Sequence, residues 1–201
     1  MNNLIEDIIA FYEQLKKTES FRKLITYYNN KFYALIVLKQ LEQLSTNLKS
    51  INALIEIGNI QDAYTIFRKY LETYCIMMSI YENPCVVSKY MLHDSYIGYK
   101  ACGEKMNEIK NYIKDKPVGY LEYGYLEDVV DTSLNEFKYT MKTVCKAAKL
   151  KEYYGWYKLC NNFVHNNLSS VVINPLDGKT KLVEKCQKSF YYMQNKFKLI
   201  I

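Results

Sequence analysis

From Phe32 to Ile57 the chain contains neither glycine nor proline, while apolar residues return every three or four positions: Leu35, Leu38, Leu41, Leu44, Leu48, Ile51, Leu54 and Ile55. That spacing matches the helical repeat and not the two-residue repeat of a strand. The rest of the chain is almost as poor in breakers, with 7 Gly and 3 Pro in 201 residues. A β-sandwich needs a turn every few residues and draws its turns from those residue types. The sequence therefore predicts an all-α fold. The 21 Tyr favour strands by propensity, but here they recur at helical spacing, and packing pattern outweighs propensity.

The same reading, applied along the chain, predicts an up-and-down bundle of six to seven helices. A first helix covers about 4–17, with Leu4, Ile5, Ile8, Ile9, Phe11, Tyr12 and Leu15 on one face. The long helix from Phe32 ends at Gly58, which suits a left-handed cap. A third runs from about Ile60 to Tyr81, with Ala63, Phe67, Tyr70, Tyr74, Met77 and Tyr81 as its stripe and Leu71, Cys75 and Met78 widening it. That width marks it as central, and Asn83-Pro84 ends it. Further helices are expected over about 86–112, 127–149 (Leu134, Phe137, Met141, Val144, Cys145, Ala148 inward), 152–167 (Trp156, Leu159, Cys160, Phe163, Val164 inward) and 181–197. A loop is expected over 114–124, and an extended stretch with a turn over 171–178. Residues 1–201 form one helical domain, with 1–30 as a candidate N-terminal helical extension.

Charge and cysteine usage narrow the setting. The net charge is +6, which permits contact with RNA, DNA or an acidic partner without requiring it. The six Cys form no CxxC pair, and several stand on apolar helical stretches, so they read as free thiols of a cytoplasmic protein rather than a disulfide framework or a zinc site. The N-terminus MNNLIEDIIAFYEQ is acidic where a signal peptide is basic. No run of eighteen apolar residues exists, so no membrane span is expected.

No Gly-rich phosphate loop, HExxH, GxSxG or metal-ligand cluster is present, and no cofactor is expected. The chain has two His, His93 in MLHDSY and His165 in LCNNFVHNN. The second sits in a polar stripe, with Asn161 and Asn162 before it and Asn166 and Asn167 after it. Asn is a poor residue for a helix interior, so four of them around one His need a reason. Lys158 lies seven residues upstream, on the same face. A His with a nearby cation suits metal-free RNA cleavage: the imidazole moves a proton at the ribose 2′-hydroxyl or the leaving oxygen, and the cation offsets charge at phosphorus. The structural alternative is that His165 and the Asn residues end a helix and hydrogen-bond across the bundle. Arg68 and Glu72 form a second constellation, one turn apart beside Phe67, Tyr70 and Leu71, where a half-buried Arg either locks a neighbouring helix or holds a phosphate. His93-Asp94 reads as a surface pair. Tyr120, Tyr123 and Tyr125 with Lys114 and Lys116 either stack bases or cover a loop's underside.

The segment NALIEIGNIQDAYTIFRKYLETY is similar to a helix of bacterial helical families with an A…L.R…LE pattern. YKLCNNFVHNN resembles the polar-x-x-His helix of the HEPN superfamily, which includes toxin RNases and abortive-infection proteins of the AbiV type. The resemblance covers about half the chain. It implies a helical bundle, a homodimer, antiviral defence and metal-independent RNA cleavage. The superfamily's hallmark is an Arg, then a polar residue, then a His, with four to six residues between Arg and His. His165 matches the His. The window for the Arg holds Lys158, Leu159 and Cys160, so Lys158, or Arg68 from another helix, stands in for the guanidinium. Two functions follow. One is a phage-defence endoribonuclease toxin using His165, Lys158, Asn161 and Asn162 with Arg68 and Glu72. The other is a non-enzymatic helical protein that binds a phage or host protein, or RNA.

Overall fold

The computed structural model describes residues 1–29, 31–83, 140–164 and 175–200; the side chains of Phe32, Asn162, Pro175 and Leu176 are outside the description. The described residues form seven helices and no strand. They are α1 (Asn2–Lys16), α2 (Thr18–Tyr28), α3 (Lys31–Glu56), α4 (Ile60–Glu82), α5 (Met141–Ala147), α6 (Lys151–Val164) and α7 (Pro175–Lys198). None is long and apolar enough to cross a membrane.

One hydrophobic core joins all seven. Helix α4 is its axis: it packs on α3, α5, α6 and α7, and buries Ala63, Phe67, Tyr70, Leu71, Tyr74, Cys75, Met77 and Met78. That is the width its sequence announces. Helix α3 contributes Tyr33, Ala34, Val37, Leu41, Leu44, Leu48, Ile51 and Ile55, at alternating steps of mostly three and four. Leu35, expected inward, is 46% exposed, because Ala34 and Val37 set the buried face and Leu35 points away from it. Likewise on α6, Leu159 is exposed and Tyr153 takes an inward place beside Cys160 and Phe163.

The helix ends are built by backbone geometry. Gly58 adopts φ +79°, and Asn59 N–H and Gly58 N–H donate to the carbonyls of Leu54 and Ile55, the paired bonds of a Schellman cap. Asn59 then starts α4: its Oδ1 accepts from Asp62 N–H while its Nδ2 donates to the Asp62 carboxylate.

Three boundaries differ from the sequence reading. The 18–28 segment is a helix of its own, separated from α3 by the left-handed Asn29 (φ 48°). It buries only Leu24, and so small an apolar stripe, among Thr and Tyr residues of middling helix propensity, left it unread. Helix α5 starts at Met141, after the extended backbone of Thr140 (φ −88°, ψ 163°), inside the stretch expected as one helix over 127–149; residues 127–139 and the elements expected over 86–112 and 114–124 lie outside the described residues. At the other end of α5 Lys149 takes φ 59° and closes a second Schellman cap, with Leu150 N–H on the Cys145 carbonyl. Helix α7 starts at Pro175, six residues earlier than expected, because proline with its fixed φ and missing N–H suits the first helical position.

Candidate functional site

Helix α6 has two working faces. Tyr153, Cys160 and Phe163 turn into the core. Tyr154, Tyr157, Lys158 and Asn161 follow the i, i+3, i+4, i+7 spacing and form a separate stripe. Tyr154, Tyr157 and Asn161 are half-buried and Lys158 is exposed.

The rings of Tyr154 and Tyr157 are stacked, with centroids 6.4 Å apart and planes 16° from parallel. A cation stands at each end of this pair. The Lys158 ammonium lies 6.0 Å from the Tyr154 centroid. At the other end the Arg68 guanidinium, reaching across from α4, lies 4.9 Å from the Tyr157 centroid, and its Nη2–H donates to the Tyr157 hydroxyl at 2.7 Å. The negative faces of the rings hold both cations. Arg68 also carries a buried Nε–H with no hydrogen-bond partner, and Asn161 on the same stripe has a buried Oδ1 without one. A buried donor or acceptor left unpaired costs about 1–3 kcal/mol, so these two atoms have hydrogen-bonding capacity that the protein itself does not use.

The structure thus joins Arg68 and Lys158, both singled out from sequence, through two tyrosines that were not, and the helical spacing puts Asn161 on the same face of α6. Their signal was readable: tyrosines three apart, the first followed four residues later by a lysine. Glu72, one turn beyond Arg68 on α4, is half-buried, and its charge adds to the Cys145 contact and the burial that raise the Cys75 thiol. His165, the side chain of Asn162, the pair His93-Asp94, and Tyr120, Tyr123 and Tyr125 with Lys114 and Lys116 lie outside the described residues.

The sequence that carries the stripe is rich in lysine. Residues 140–200 hold eleven Lys against three carboxylates (Glu152, Asp177 and Glu184), so this stretch is more positive than the whole chain at +6. Aromatic rings are interleaved with these lysines: Lys185 sits 4.9 Å from the Trp156 centroid, and Lys196 sits 5.6 Å from Tyr192 and 5.7 Å from Tyr81. Two cations of the group are committed to structure. Glu82, at the end of α4 with its side chain only 10% exposed, pairs with Lys149 at 2.5 Å and Lys196 at 3.8 Å. Among the described residues no group of three or more His, Cys, Asp or Glu is placed to hold a metal ion.

The model of DUF5677, a family of unknown function, matches residues 35–179, from α3 to the first turns of α7 and thus across Arg68 and the whole α6 stripe. No curated protein and no solved structure matches the chain.

Proposed function

We propose that this chain, which belongs to the DUF5677 family, is an RNA-binding helical protein of cytoplasmic phage defence. The observation that carries the reading is the stacked Tyr154–Tyr157 pair with Lys158 at one end and Arg68 at the other. Single-stranded RNA is recognised by aromatic faces on which bases stack and by cations that meet the backbone phosphates. The stripe offers both within one helix face, and the lysine-rich C-terminal segment extends its field.

The test is a titration of labelled single-stranded RNA against the protein at increasing salt. Binding should be tight at about 50 mM salt and weaken steeply as salt rises. Lys158→Ala, at an exposed position that leaves the core alone, should flatten the salt dependence by about 0.7 in log–log slope, the share of one phosphate contact. Tyr154→Ala should weaken binding by about 5- to 150-fold, the equivalent of about 1–3 kcal/mol of stacking. RNA affinity that is absent at low salt, or indifferent to both variants, rejects the reading.

The second reading, endoribonuclease action, is favoured by the orphan Arg68 Nε–H and Asn161 Oδ1. They lie on the stripe that, in sequence, leads four residues on from Asn161 to His165. In this reading His165 moves the proton, and Lys158 and Arg68 stabilise charge at phosphorus. His165→Ala should then bind RNA as the parent does and cut it about 10²–10⁴-fold more slowly, with toxicity lost in cells. Wild-type protein that binds RNA and leaves it intact supports binding alone.

The assembly we propose is a homodimer, as in the superfamily that the YKLCNNFVHNN helix resembles. Exposed apolar side chains on several helices, among them Leu35, Leu159 and Tyr191, supply surface for it. Light scattering at micromolar concentration should give twice the 23.8 kDa chain mass, and a monomer would contradict the proposal.

A further inference from the structure

Away from the α6 stripe, two thiols from different helices touch. Cys75 on α4 and Cys145 on α5 are both buried and free, with their sulfurs 3.4 Å apart in hydrogen-bond contact. Disulfide bonding would require the sulfurs to close to about 2.0 Å. The element that must move is small. Helix α5 has seven residues, is bounded by extended Thr140 and left-handed Lys149, and anchors itself through Met141, Val144 and Cys145. So short an element opens locally more readily than the long helices, and its opening carries the Cys145 sulfur with it.

We propose that Cys75 and Cys145 are a redox modification site, at which hydrogen peroxide closes a disulfide between α4 and α5. The thiolate of Cys145 attacks the O–O bond of the peroxide. One oxygen stays on sulfur as the sulfenic acid, and the other leaves as hydroxide and is protonated to water. The Cys75 sulfur then attacks the sulfenic sulfur, the S–S bond forms, and the second oxygen departs as water. Two thiols lose two electrons and the peroxide gains them. The two sulfurs differ in the way these roles require. The S–H of Cys75 stabilises the Cys145 thiolate and lowers that thiol, while the same contact, with burial, holds Cys75 well above its ordinary value. Cys145, carried on the short α5 that must move, takes the part of the nucleophile, and Cys75 on the central helix that of the resolving thiol. The bond would tie the short α5 to the central helix and restrain the unfolded chain, raising the thermal midpoint of the oxidised protein.

The experiment treats the native protein with hydrogen peroxide, removes the excess, then denatures, alkylates and digests it. Two of the six thiols should become unreactive, one peptide should link Cys75 to Cys145, and dithiothreitol should restore all six. Cys145→Ala should remove the link and leave the remaining thiols reactive; the wild-type peptide map decides the question even if that variant folds poorly. Six reactive thiols after treatment, a link between Cys160 and Cys186 instead, or loss of thiols only as sulfinic acid would overturn the proposal.

Discussion

Tyr64→Ala is expected to cost about 3–5 kcal/mol and to leave the protein largely unfolded near body temperature. Tyr64 stands where three helices meet. Its ring, 1% exposed, lies face to face with Phe163 of α6 at 4.5 Å and 9° and edge-on to Phe67 of its own helix at 6.3 Å. Its hydroxyl donates to the buried carbonyl of Gly178 at 2.9 Å, in the first turns of α7. One side chain therefore binds α4, α6 and α7. Truncation leaves a cavity, forfeits the ring contacts and loses the bond to the Gly178 carbonyl. Tyr64→Phe separates the parts: it keeps the stack and should lose only about 1 kcal/mol. Denaturant melts of the two variants check this. Equal, small losses would mean that the α6–α7 end of the bundle is not held through Tyr64.

The sequence carried the bundle's axis more fully than its edges. The α4 stripe was legible because Phe67, Tyr70, Tyr74, Met77 and their neighbours cover so much of one helix that no other placement buries them. Gly58 was legible because a left-handed cap selects for it. Lys149 occupies the same backbone region without being Gly, and nothing in its residue type announces that. Leu35 and Leu159 show a different limit. Periodicity finds a stripe, but a leucine at its margin falls in or out according to which neighbouring helix is there. Helix α2 was missed because it rests its case on tertiary contact, with Phe21, Ile25 and Tyr28 only partly buried against the core.

The α6 stripe was half legible. Lys158 and Asn161 were found by looking along the helix from His165, and Arg68 by its odd place beside an apolar stripe. What joins them is a pair of tyrosines that composition disguises, since in a chain with 21 Tyr two more attract no notice. Arg68 and Tyr157 are 89 residues apart, and only the packing of α6 on α4 makes them neighbours.

The same wealth of tyrosine sets an alkaline limit on the fold. Above pH 10 the helical signal should fall cooperatively, with most of the loss complete by about pH 12. Burial pushes Tyr64 and Tyr153 up to about 12 from an ordinary value of 10. It also raises Tyr28, Tyr70 and Tyr74, each with little or no water to solvate a phenolate. Cys160 moves the same way, to about 12 from 9, despite the opposing pull of Arg68. In every case the folded state holds its proton more tightly than the unfolded chain does. These groups therefore leave stability undiminished below the unfolded values, and the unfolded state gains on the folded one as pH rises from those values toward the folded ones. A tyrosine in this position removes about 1.4 kcal/mol per pH unit inside the window. Tyr70 and Tyr74 act in the same direction, since burial raises both phenols. Tyr70 adds a specific loss, because its hydroxyl is tied to Ser189 at 2.6 Å and to the Cys186 carbonyl at 3.2 Å, bonds between α4 and α7 that a phenolate would disturb. Tyrosinate absorbance and circular dichroism should be followed on the same sample. The tyrosines that ionise first should do so with the helices intact, and the buried ones should ionise together with helix loss. If all the tyrosines titrate near 10 while the helices persist, the aromatic core along α4 is wetter than its packing implies.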